Sequence, residues 1–342
     1  MVATVAAMVS IGLVVDKTGH LRSLTRAADS LDDQEVEPDA PGSLPAPADR
    51  PPSPTTPTTT ASAGAYGVPV LLGTSGDASL DESSGLVASR ANPGLLWTHN
   101  DSGGDPLLHC LDRQARSCGT WEVSGAIAHD WEDLAAGPGP QPGQPYLYVG
   151  DIGDNTRSRS SVTVYRVPEP VVAIGTGGVG EQATAATEAL TLRYPDGPRD
   201  AEALLVHPGN GDLYVVTKEV SGPAGVYRAP ATLTPGATTA LERIASLELP
   251  GAPGSLTAPV TGGDIAPDGH RLALSTYVAG VELVLDHGTT ARFDDIWEQP
   301  LRPVALPLRR QGEAIAYRLD GAALLVTSEG APMPLHEVAL QG

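Results

Sequence analysis

The chain has 342 residues, with 41 Asp and Glu against 21 Lys and Arg and a formal charge of −20. That sign excludes nucleic acid and anionic membrane surfaces as partners, because both demand positive charge, and it makes cations the natural guests. Gly (39) and Pro (32) are abundant, as in folds of short strands joined by tight turns or in unfolded stretches.

In chain order, the first feature is the uncharged run VATVAAMVSIGLVV, residues 2–15. It is short for a membrane span of about 20 residues but suits the core of a signal peptide or signal anchor, so residues 1–15 are read as an export signal. No basic residue precedes the run and no small-x-small site follows it before Asp16. Residues 16–63 are acidic and then rich in Pro, Thr and Ser (PGSLPAPADRPPSPTTPTTTASA), with too little apolar content to repay the entropy of ordering. They are expected to form a disordered, extended linker that tethers the C-terminal part of the chain. The expected location is outside the cell, either secreted or anchored at the outer face of the cytoplasmic membrane, with membrane contact only through the N-terminal segment.

From residue 64 to 342 one two-strand phrase recurs five times. Its first half is a carboxylate followed by a short apolar run: Glu82 with SSGLVAS, Asp130 with WEDLAAG, Asp200 with AEALLVH, the GGDIAPDG containing Asp264, and Glu313 with AIAYRLDG. Its second half, after a turn, is LLWTHNDSG, YLYVGDIGDN, DLYVVTKE, RLALSTY or ALLVTSEG. The spacing is roughly 50 to 70 residues with no amphipathic helix between phrases, which is the signature of β-propeller blades. The fold class is therefore all-β, a propeller of five blades. The last phrase has strands for only part of a blade, so AYGVPVLLG (65–73) is expected to supply the missing outer strand. A sixth, degenerate blade between Asp130 and Asp200 is the alternative.

In a propeller blade the start of the first strand and the end of the second lie at the same face of the disc. Strand-one starts supply Glu82, Asp130, Glu132, Asp200, Glu202, Asp264 and Glu313; strand-two ends supply Asn100, Asp101, Asp151, Asp154, Asn155, Lys218, Glu219 and Glu329. Crowded carboxylates repel unless some hold protons or a cation sits among them. Oxygen donors without clustered His or Cys favour a hard cation, calcium or magnesium, with calcium the better match to irregular loop geometry. The metal ligands are thus expected among Glu82, Asn100, Asp130, Glu132, Asp151, Asp154, Asp200, Glu202, Asp264 and Glu313. The segment VGDIGDN (149–155) is the densest oxygen-donor stretch, and its glycines allow close backbone approach. It lacks the closing Glu of an EF-hand. Trp131, between Asp130 and Glu132, has two readings, a ligand-stacking platform or a core residue between blades.

His129 and Asp130, beside the mouth, and Lys218, a cation among acids, are the candidate catalytic groups. The only cysteines, Cys110 and Cys118, flank a polar turn between two strands, and a hairpin disulfide is expected from that spacing and the export signal. There is no G-x-S-x-G elbow or P-loop, so serine hydrolase and nucleotide kinase chemistry have no support.

Taken together, ESSGLVASRANPGLLWTHNDSGG, DWEDLA, YLYVGDIGDN, VYRVPEP, DAEALLV, VTKE, GGDIAPDG and GEAIAY resemble exported, WD40-like actinobacterial β-propellers over nearly all of residues 75–335. More distantly, the acid-then-apolar strand starts resemble the phytase-like and gluconolactonase-like propellers. Those bind calcium in or over the channel and cleave phosphate esters or lactones, so the resemblance implies a calcium-dependent hydrolase of phosphoesterase or lactonase type. A phytase-like site would also need several basic residues, and only Lys218, Arg90 and Arg199 lie near matching phrases. The rival expectation is a non-catalytic module binding a small molecule or a cell-envelope glycan, peptide or protein at the same mouth. A monomer is expected in either case.

Overall fold

In the computed structural model the described residues are 12–15, 21–24 and 65–341, excepting 102, 174–180, 251–258 and 287–291. The chain divides into two units, 1–63 and 64–342. In the first unit, β1 (Gly12–Val15) pairs antiparallel with β2 (Leu21–Leu24). The rest of the expected export signal and linker lies outside the described residues. No helix among the described residues is long and apolar enough to cross a membrane.

The second unit is an all-β propeller of five blades. The strand β3 (Val70–Thr74) opens the chain of this unit and is used last, in the final blade. Blade one runs outward as β4 (Ser83–Ala88), β5 (Leu95–Asn100), β6 (Leu107–Asp112) and β7 (Ser117–Glu122). Blade two begins with β8 (Trp131–Pro138), β9 (Pro145–Asp151) and β10 (Val162–Pro168). The short β11 (Glu181–Ala183) then leaves it to pair in parallel with β7 of blade one, before β12 (Glu188–Arg193) completes blade two. The long interval between Asp130 and Asp200 is thus occupied by an ordinary blade plus a strand lent to its neighbour, and not by a sixth blade.

Blade three is β13 (Ala201–Val206), β14 (Leu213–Thr217) and β15 (Ala224–Ala229), with β16 (Thr238–Ala240) lent back in parallel to β12 and β17 (Glu242–Leu247) closing the blade. Blade four is β18 (Val260–Ile265), β19 (Arg271–Thr276), β20 (Gly280–Val284) and β21 (Arg302–Val304). Blade five is β22 (Gly312–Tyr317), β23 (Ala323–Ser328) and β24 (Pro334–Ala339), with β3 as its outer strand. First and last segments of the unit therefore share one sheet, which closes the ring as expected from the sequence.

The innermost strands β4, β8, β13, β18 and β22 neighbour one another around the channel. Each packs on both faces against adjacent blades, so its sequence is a near-continuous run of small and apolar residues with almost every position buried. Larger side chains fill the wedges between blades: Trp97 and Trp131 between blades one and two, Tyr148 and Tyr227 between two and three, Tyr317 between four and five. Gly85 shows how tight the centre is, since a Cβ there would strike the backbone nitrogen of Leu134 and the ring of His99.

Candidate metal centre

The mouth is built by a defect that all five blades share. Near the start of each inner strand the pairing with the second strand slips: between Ser83 and Leu86, Trp131 and Asp133, Ala201 and Ala203, Val260 and Gly262, and Gly312 and Ile315. A bulge of this kind re-aims a side chain and bends the strand. The residues passed over include Ser84, Glu132, Glu202, Thr261 and Glu313, one per blade and each nearly fully buried. Directly beyond the last paired residue of each second strand stand Asp101, Ile152, Lys218, Tyr277 and Glu329. Backbone bonds from Asp101 N to Glu82 O (2.9 Å), Lys218 N to Asp200 O (2.9 Å) and Glu329 N to Gln311 O (3.1 Å) hold these exits against the inner-strand starts.

Three carboxylates converge there. Oxygen atoms of Asp101, Asp130 and Glu132 lie within 4.8 Å of one another, a spacing that can hold a metal ion. The group joins the end of β5 in blade one to the start of β8 in blade two. Gly153 forms part of its wall: a Cβ at that position would run into the Glu132 and Asp130 carboxylates, so the backbone of the VGDIGDN loop approaches as closely as only glycine allows.

Burial and mutual repulsion hold these acids up. Glu132 is raised well above the usual carboxylate range by burial and by the neighbouring Glu202 and Asp101, against the pull of Lys218. Asp130 is raised by burial and by Asp200, with Arg159 opposing. Burial, with Glu82 and Glu202 nearby, pushes Glu329 to about 7. Glu202 also rises to about 7 through burial although Lys218 is ion-paired to it, and Lys218 itself stays firmly protonated because Glu202, Glu132 and Glu313 outweigh the cost of its own burial. The lysine keeps its proton, and the surplus negative charge falls on the carboxylates around it. Hard oxygen ligands, a shortage of positive charge and raised proton affinity are the conditions a divalent cation relieves.

Several residues singled out from the sequence have other employment. Asp151 is paired with Arg159 (2.7 Å) and accepts the Asp130 amide (3.2 Å). Asp154 accepts the Ser158 and Arg159 amides (2.9 and 2.8 Å), and its own amide donates to Asp200 (2.9 Å), so both aspartates shape the loop beside the triad. The Asn100 side chain accepts the Glu82 amide (3.2 Å) and donates to Ser79 O. Glu82 stands at the mouth beside Glu329. Glu219 pairs with Arg157 (2.6 Å). His129 is exposed.

Two expectations need correction, for Asp264 and for the cysteines, and the two readings of Trp131 are decided. Asp264 does not reach this mouth: it lies three positions further along its strand than the bulge residue Thr261, toward the opposite face, where it accepts the Tyr317 amide (2.8 Å) and has Arg90 nearby. The GGDIAPDG phrase matches the others in composition but is offset in register. Trp131 is core and no platform, being 1% exposed, edge-on to His99 at 5.5 Å and bonded through Nε1 to Ile127 O (3.1 Å). Cys110 and Cys118 are free thiols. Gly119 stands opposite Cys110 and Cys118 falls in the bulge beside it, with the two thiols in contact but not joined in the expected disulfide.

One carboxylate with a decisive role was not singled out. Asp133, fully buried, accepts the amides of Leu134 (2.8 Å), Leu204 (3.0 Å) and Gly263 (3.1 Å), which belong to blades two, three and four. It is the D of WEDLAAG, and its only sequence signal is a second acid beside Glu132 at the start of an apolar inner strand. Compared with known proteins, the chain matches no protein-family model and no curated protein.

Proposed function

We propose that this chain is an exported propeller that binds calcium at its channel mouth and uses the bound ion to hydrolyse a neutral ester or lactone. The observation carrying this reading is the convergence of Asp101, Asp130 and Glu132 from two blades beside carboxylates that exchange protons near neutral pH. A calcium ion there supplies Lewis acidity and a polarised water. Glu202 and Glu329, each pushed to about 7, have the proton affinity a general base or acid needs at physiological pH.

The mouth favours lactones and neutral esters over phosphate esters. Its basic groups are engaged, Lys218 with Glu202, Arg157 with Glu219 and Arg159 with Asp151, which leaves little to meet a phosphate dianion. Lys218 is accordingly a structural counter-ion in this reading, while Asp130 is a metal ligand. The likeness of the strand starts to gluconolactonase-like propellers and of the whole repeat to exported WD40-like propellers agrees with it.

The test is hydrolysis of a panel of lactones, p-nitrophenyl acyl esters and p-nitrophenyl phosphate, with calcium or with a chelator. Lactone or acyl-ester turnover that needs calcium and falls at least tenfold in Glu202→Gln is expected. Calcium binding without turnover of any substrate would make the mouth a binding site for an envelope ligand instead.

A further inference from the structure

The outer strands of blades one to four are each covered by chain that belongs to the next blade. The connection between the third and fourth strands of blade two supplies β11, which lies parallel along β7 of blade one, and the same connection of blade three supplies β16 for β12 of blade two. In blade four this connection carries the short 3-10 helix Phe293–Glu298, whose Phe293, Ile296 and Trp297 share a core cluster with Leu247 of β17. The chain entering β3 does the same for blade four: Tyr66 packs against the cluster that holds Val304 of β21, and its hydroxyl donates to Glu282 (2.6 Å).

At blade five the pattern stops. The corresponding cover for β3 is the connection between β6 and β7 of blade one, but this is only the turn 113–116, too short to lend a strand. The turn meets β3 at Gly73, where a Cβ would strike Gln114 O. Among the described residues β3 pairs as a strand with β24 alone and presents its other edge unpaired. Val68, Val70 and Leu71 are 84%, 58% and 54% exposed there. They are three of the eight large exposed apolar side chains among the described residues and fall within four positions, so they form a patch and not a scatter. Uncovered edges are normally blunted with charge, yet residues 64–76 carry none in a chain of formal charge −20. Pro69, just before the strand, and the bulge at Leu72 shorten the usable edge without closing it.

We propose that the β3 edge of blade five is a dimer contact, pairing with the β3 edge of a second copy of this chain. The covers on β7 and β12 are short extended segments, and β3 of a second copy is a segment of that kind that needs the same cover itself. Antiparallel pairing about a two-fold axis closes both edges at once and covers Val70 and Leu71 of each copy. It also sets uncharged segments against each other, which matters between two chains that each carry −20. Few residues take part, so the contact is much smaller than the roughly 800 Å² per partner of a standard interface, and the dimer is a reversible one that forms at high protein concentration. The contact uses nothing from the channel mouth and is independent of the metal and of the proposed reaction.

Sedimentation velocity of the full chain in chelator, from low micromolar to near-millimolar concentration, tests this together with amide hydrogen exchange at both ends of that range. A reversible monomer–dimer equilibrium is expected, with exchange at residues 70–74 slowing as dimer forms. Substituting Val70→Lys and Leu71→Lys together sets like charges against each other across the pairing and is expected to weaken dimerisation at least tenfold. Both positions are exposed, so the double variant is expected to melt with the wild type in dilute solution. A chain that is monomeric at every concentration, an association that the double variant retains, or protection that grows elsewhere and not at residues 70–74 would each overturn the inference.

Discussion

The mouth and the wall of this channel are lined by the same kind of residue and use it in opposite ways. Asp133, in the wall, is closed off by three backbone amides from three blades, and Asp264, further along, is held by the Tyr317 amide. Glu132 and Glu313, at the mouth, sit in strand bulges where the ladder is broken, and the Oε2 of Glu313 receives no donor from the described residues. Where the strands are in register, neighbouring amides are aimed at a carboxylate and it becomes a bolt. At a bulge the backbone turns its donors elsewhere, and the carboxylate is left without the amides that close off Asp133.

The contrast is open to attack at both ends. The largest effect is expected in the wall. Asp133→Ala would strand the amides of Leu134, Leu204 and Gly263 and should lower unfolding stability by about 3 kcal/mol or more, read from urea midpoints. A loss no greater than that of an ordinary surface substitution would show that Asp133 is no bolt. At the mouth the opposite holds: Asp130→Asn combined with Glu132→Gln should weaken calcium binding roughly 100-fold while leaving the metal-free protein as stable as wild type or about 1 kcal/mol more so, because it relieves repulsion. Loss of metal-free stability comparable to that of Asp133→Ala would erase the distinction.

A smaller, graded effect comes from pH. Glu202, Glu329 and Asp264 are all pushed to about 7 in the folded protein, chiefly by burial. Between the ordinary carboxylate range and pH 7 the folded state therefore holds protons that the unfolded state has shed. The stability these groups contribute is fully present below the ordinary carboxylate range and is lost as pH rises through about 7, with a slope of up to about 1.4 kcal/mol per pH unit for each group. Melting across this range in chelator should show the decline, and calcium should flatten the share due to the mouth while leaving that of Asp264. The smallest effect is expected at the hairpin thiols. Cys118→Ser should change stability by less than about 0.5 kcal/mol under reducing conditions, since no disulfide is lost.

Much of this architecture is written in the sequence because repetition is a signal that survives weak individual motifs. Five acid-then-apolar phrases predict five blades, and the shortfall at the end of the last phrase predicts the closing strand that β3 supplies. The face to which Asp130, Glu132, Glu202 and Glu313 belong is legible for the same reason. Register is not. An offset of three residues along the strand is invisible in composition, so Asp264 looks equivalent to Glu313 in its phrase although Thr261 takes the corresponding bulge. Asp133 hides for a related reason: partners from sequence positions 204 and 263 come within reach only once the ring has closed. Asp101, one step past Asn100, becomes a member of the triad because the strand pairing ends at Asn100 and leaves the next side chain at the entrance.

The account depends on the triad accepting a cation in exchange for protons. Calorimetric titration of the chain with calcium near pH 7, in two buffers of different ionisation enthalpy, measures both quantities at once. One ion bound per chain, with a buffer-dependent heat that reports proton release and with binding abolished in Asp130→Asn, is the predicted result. Absence of binding, or binding that Asp130→Asn leaves intact, would contradict it.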